Sequence, residues 1–145
     1  MKRSIALLLA VLALVSCCGL SMLASAYDEN EAVPYYNNTS TASVTLSISS
    51  TGTATVRLKC TGISGVTNKI TVVSYIQRKV GLIWVRVDNG LDGKEWTNTV
   101  NGTTLSKSHT LQLSKTGTYR AKAEFTVTGS GGSADNIVKT ATAEY

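Results

Sequence analysis

Cysteine is scarce in this 145-residue chain, and the three present do not form a disulfide framework. Cys17 and Cys18 fall inside an apolar N-terminal run, and Cys60 stands alone beyond it. One thiol makes no intrachain bridge, so packing must hold the fold. Histidine is scarcer still: His109 has no companion, and no G-x-S-x-G turn offers a nucleophile. A Ser-His-Asp triad is therefore excluded, and so is a zinc site, which needs paired Cys or His ligands at fixed spacing. The single proline, Pro34, precedes the first strand-like run. Charged residues make up only 16% of the chain, and their basic members are scattered, which disfavours nucleic-acid binding. No convincing repeat of fixed period is present, which argues against a solenoid.

What the chain does have begins at its N-terminus. Lys2 and Arg3 precede an apolar run from Ile5 to Val15, and Ala24-Ser25-Ala26 ends the segment with a small-x-small site. This is the layout of a secretory signal peptide, cleaved before Tyr27. Ser16 and Gly19 interrupt the apolar run and no charged stop-transfer flank follows, which disfavours an uncleaved membrane anchor. Leu14-Val15-Ser16-Cys17 resembles the lipobox of bacterial lipoproteins, so lipidation at Cys17 is the alternative, and the one route to the membrane. The expected address is secreted, or lipid-anchored at the cell surface.

Cleavage after Ala26 lowers the net charge of +5 to +3, because Lys2 and Arg3 leave with the leader. Asp28, Glu29 and Glu31 then crowd the new N-terminus, leaving a body that is more basic than the whole. Such a charge favours solubility, and it also favours anionic envelopes and glycans. Residues 27–41 are polar and read as a flexible lead-in.

From Ala42 onward the chain alternates with period two, the signature of half-buried strands. Val44, Leu46 and Ile48 share a face, as do Ala54, Val56, Leu58 and Cys60. Ile70–Lys79 is denser in apolar residues and reads as a central strand covered on more than one side. Gly81 separates it from Leu82–Val87, a hairpin arm with Leu82, Trp84 and Arg86 on one face and Ile83, Val85 and Val87 on the other. Lys94–Gly102 has room for a short edge strand. Leu105, His109, Leu111 and Leu113 share the next face. The clearest alternation follows, with Tyr119, Ala121, Ala123, Phe125 and Val127 inward and Arg120, Lys122, Glu124 and Thr126 outward. Asn136–Tyr145 closes the series. About seven strands with no amphipathic helix among them predict an all-β, antiparallel two-sheet sandwich over 42–145, preceded by a signal-peptide helix.

Lys115-Thr116-Gly117-Thr118-Tyr119-Arg120-Ala121 resembles the tyrosine corner of immunoglobulin-like domains, where a glycine turn precedes the tyrosine opening strand F. Ala121 stands where antibody domains carry a cysteine, and Cys60 lies on the expected partner strand. The chain is thus similar to disulfide-free Ig-like or fibronectin-III-like modules of secreted Gram-positive bacterial proteins. The resemblance implies a structural role for Tyr119, whose hydroxyl would fix a loop.

The residues best suited to binding are aromatic. Trp84, sharing a face with Arg86, and Trp96, in an irregular segment, are the candidate anchors for a cell-surface glycan or protein. Tyr35, Tyr36 and Tyr75 are further candidates. Cys60 alternates with Leu58 and Val56 and reads as a buried, inert thiol. Asp88, Asp92 and Glu95 form an oxygen-rich loop without EF-hand spacing, so turn chemistry explains them better than calcium. Asn37, Asn38 and Asn101 open N-x-S/T sequons, which matter only in a eukaryotic secretory pathway. No catalytic residue, metal site or cofactor is expected. The reading is a non-enzymatic secreted or cell-surface binding module. The alternatives are a bacteriocin-like or toxin-like effector acting on anionic envelopes, and a glycan-active hydrolase.

Overall fold

The computed structural model describes residues 35–145. The expected signal peptide and its helix, the lipid-acceptor candidate Cys17 and residues 27–34 of the expected lead-in lie outside the described residues. Eight strands follow one another: β1 (Thr39–Ile48), β2 (Thr53–Gly62), β3 (Thr67–Val80), β4 (Ile83–Arg86), β5 (Trp96–Val100), β6 (Thr104–Gln112), β7 (Thr118–Gly129) and β8 (Asp135–Glu144). The eighth, relative to the expected seven, is the short edge strand β5. One sheet runs β1-β2-β6; the other runs β4-β3-β7-β8, with β5 also paired to β3. Every pairing is antiparallel.

Read as A-B-E against C′-C-F-G, this order is that of an Ig-like sandwich. Tyr119, 2% exposed at the start of β7, donates its hydroxyl to the Lys115 carbonyl. That bond is the tyrosine corner, built at the strand F position.

The alternation sorts side chains as physics requires, because a strand facing a second sheet must bury every other residue. Ala54, Val56, Leu58 and Cys60 of β2 meet Ile70, Val72 and Ile76 of β3 and Ala121, Ala123, Phe125 and Val127 of β7 in one core. Truncating a side chain as enclosed as Phe125 costs about 3 kcal/mol or more, since the cavity adds to the lost transfer energy.

β3 is central, pairing with β7 along one edge and, on the other, with β5 at Ile70–Ser74 and β4 at Gln77–Val80. Among the described residues no further layer roofs its outer face. Tyr75 lies on that face and is only 5% exposed, because cationic side chains cover it. The two-residue turn Gly81-Leu82 joins β3 to β4, with Gly81 at φ +59 in the left-handed region that a tight hairpin requires of its first turn residue.

β1 begins at Thr39, three residues before the alternation becomes regular. Asn38 ahead of it is fully buried. The Asp135 carboxylate accepts the amides of Asn37 and Asn38 at 2.9 and 2.8 Å and the Thr39 hydroxyl at 2.8 Å. The Asn38 amide group donates to Ser133 O and its carbonyl oxygen accepts from Gly131 N–H. These bonds tie the polar start of the domain to the β7–β8 loop, so residues 37–39 are held by hydrogen bonding where apolar burial is lacking.

Candidate binding face

The outer face of the five-stranded sheet carries a cluster of aromatic and cationic side chains. Register explains it. Gln77 pairs with Arg86 and Arg120, Lys79 with Trp84, and Tyr75 with Lys122. All of these positions point away from the core, because paired residues across a sheet share a face. The β3–β4 hairpin and the distant strand β7 thereby bring Trp84, Arg86, Tyr75, Arg120 and Lys122 together.

The contacts are specific. The Arg86 guanidinium carbon sits 3.8 Å from the Tyr75 ring centroid, and the Lys122 ammonium 5.8 Å from it. Arg120 lies 4.3 Å over the Trp84 ring. Cations over aromatic faces are attracted by the ring quadrupole, by about 0.5–1 kcal/mol at exposed sites. Most of these charges are neutralised locally: Arg86 pairs with Glu95 at 3.0 Å, and Lys122 with Glu124 at 2.9 Å. Hydrogen bonding to Lys122 holds the Glu124 carboxyl below its ordinary value, and Glu124 raises Lys122 in turn. Tyr75 Oη donates to Glu124 as well, at 3.2 Å.

Arg120 differs. Its guanidinium donates to Gln77 Oε1 at 3.0 and 2.6 Å, and among the described residues no carboxylate pairs with it. A neutral amide holds the guanidinium in place while its charge stays available. Toward the far end of the same face the surface turns to hydroxyl and amide groups, with Thr71 bonded to Thr99, Thr126 to Asn136 and Thr128 to Asn68.

The two tryptophans part company. Trp84 and Arg86 share this outer face, as their alternation requires. Trp96 pairs with the inward-facing Ser74 and stacks on His109 of β6, ring centroids 4.9 Å apart and 4° from parallel. Trp96 thus closes the side of the sandwich between β5 and β6 and does not join Trp84. Asn98 bonds His109 Nε2 at 2.8 Å. Burial lowers the His109 pKa, and nearby Lys107 lowers it further.

The other sequence candidates disperse. Cys60 is 1% exposed, and burial followed by repulsion from Asp135 pushes its thiol pKa up to about 11. Tyr35 is exposed, whereas Tyr36 packs against the core. The loop acids serve the turn: Glu95 carries Arg86, while Asp88 accepts Gly90 N–H and lies 3.9 Å from Lys94. Among the described residues no three His, Cys, Asp or Glu gather as a metal site. Tyr75 was among the aromatic candidates, whereas Arg120 and Lys122 are members of the face that the sequence did not single out for binding. Alternation in β7 had already placed both outward.

No protein-family model matches the chain, and no curated protein matches it. Among solved structures, the chain is similar to the CARDB domain of the PF1109 protein in complex with di-metal ions from Pyrococcus furiosus. The two are 15% identical, with 77% of this chain and 91% of that one covered and a TM-score of 0.44.

Proposed function

We propose that this β-sandwich is an exported, non-enzymatic binding module. Its outer sheet face contacts an anionic cell-surface glycan. The observation that carries the reading is Arg120, held by Gln77 over the half-buried Trp84 with no carboxylate partner among the described residues. An aromatic ring face stacks on the apolar C–H face of a sugar, and a neighbouring guanidinium binds a carboxylate or sulfate on it. The hydroxyl and amide groups beyond extend the same surface. Export rests on the leader at 1–26, with Cys17 as the alternative anchoring point.

A glycan array containing uronic-acid, sulfated and neutral oligosaccharides tests the ligand. Acidic glycans should bind, and Trp84→Ala or Arg120→Gln should each weaken them about tenfold. Preference for neutral sugars, or binding unchanged in both variants, would overturn the reading. Capture of a protein through the same residues, with no glycan bound, would replace the glycan by a protein partner. Mass spectrometry of the exported product tests the address, since the chain should begin at Tyr27, or at a lipidated Cys17 if it is tethered.

A further inference from the structure

A second feature lies at the opposite side of β4. There the three-stranded sheet and the β3–β4 hairpin stand apart, leaving an open cleft of about 280 Å³. Val80, Val85 and Val87 supply an apolar wall, and Arg78, Lys115 and Tyr119 line its inner end. The wall continues outward over exposed Ile83 to Leu82, which is 98% exposed at the hairpin tip. Ile83 and Val85 belong to the inward-facing register of β4, with Val80 of β3 and Val87 beside them, but among the described residues this end of the hairpin overhangs the core, leaving Val80, Ile83 and Val85 exposed.

The charges in the cleft do not cancel. Asp88, the acid lining it, is already occupied by Gly90 N–H and Lys94. Arg86 is neutralised by Glu95. Arg78 and Lys115 have no ion-pair partner among the described residues. Arg78 Nη2 donates to the Thr116 carbonyl at 3.2 Å, which fixes the guanidinium, while its Nε is buried without an acceptor. A buried donor without a partner costs free energy until something accepts from it.

We propose that this cleft receives the carboxyl terminus of a peptide that ends in an aliphatic residue. The carboxylate accepts from Arg78 and Lys115, and the terminal side chain lies on Val80 and Val85. The small, open volume suits one residue and its carboxylate, and it does not enclose a long acyl chain. β4 is an edge strand beside the cleft, so an extended peptide leaving it meets a free strand edge. The proposal is independent of the Trp84 face.

The test is an amide-resolved NMR titration of the purified protein with N-acetyl-glycyl-leucine, its C-terminal amide, and hexanoate. The free acid should shift Val85, Ser114 and Lys115 and saturate, with the amide at least about fivefold weaker because the charge-assisted bonds are lost. Lys115→Glu, whose side chain makes no ion pair among the described residues, should lose the same factor without changing the thermal midpoint. Arg78→Gln should weaken binding by the same factor, with some loss of thermal midpoint because the Thr116 bond goes with it, and Trp84→Ala should leave the titration unchanged. Equal binding of acid and amide, no shifts at millimolar peptide, or tighter binding of hexanoate would each overturn the proposal.

Discussion

The carboxylate of Asp135 accepts the backbone N–H of Asn38 at 2.8 Å, across 97 residues of chain. Burial opposes ionisation of Asp135, but the amides of Asn37 and Asn38 and the Thr39 hydroxyl outweigh it and hold its pKa below the ordinary value. Asp135→Ala leaves those buried donors without an acceptor and should cost about 3 kcal/mol in chemical denaturation. Because the folded pKa is depressed, this stabilisation is present above the unfolded value of about 3.9 and is lost as pH falls through the folded one. The wild type should therefore lose stability more steeply than Asp135→Asn in that acid window.

His109 governs a higher window. Its folded pKa is lowered by burial, so the neutral ring is favoured in the native state and the unfolded chain binds the proton more readily. Stability should be full above about pH 6.5 and should fall as pH drops from there through the depressed folded value. Thermal midpoints at pH 7.5 and 5.5 should differ in the wild type and converge in His109→Gln. The Asn98 bond gives the direction a structural basis, since an amide N–H donated to Nε2 requires an unprotonated nitrogen there.

The tryptophans should separate by assay. Trp96→Ala removes a stacked ring from the sandwich edge and should cost about 2 kcal/mol of stability, with glycan binding by the folded fraction unchanged. Trp84→Ala should do the reverse, sparing the melting temperature and removing the binding.

Tyr119→Phe keeps the ring and deletes only the hydroxyl that reaches Lys115. The cost should be about 1 kcal/mol, visible as a drop of about 5 °C in the thermal midpoint. An unchanged midpoint would show that ring burial alone secures the corner.

Cys60 should resist alkylation in the folded protein. Its thiol is buried and its pKa is raised to about 11, so little thiolate exists at neutral pH. Peptide mapping after iodoacetamide should find it unmodified under native conditions and modified in denaturant.

Much of this was written in local patterns. A period of two assigns β7 its inward row from Tyr119 to Val127 and its outward row of Arg120, Lys122 and Glu124, because successive strand side chains must face opposite ways. The glycine turn ahead of Tyr119 marked the corner for the same local reason. The short β5 was less legible, since Trp96-Thr97-Asn98-Thr99-Val100 becomes a strand only by completing the free edge of β3. The anchoring of residues 37–39 was not legible at all. Asn and Thr in a polar stretch look like a mobile lead-in until Asp135 arrives from the other end of the chain.

The sequence by itself determined most of the strands and their buried rows, because side-chain alternation is a property of neighbours along the chain. Tertiary structure alone decided which residues act together. Register across β3 set Trp84 beside Arg120 and turned Trp96 away onto His109, and it left Arg78 and Lys115 without acid partners among the described residues. Such pairings depend on which strand edges meet, and contacts between distant segments follow from the folded register that no local period encodes.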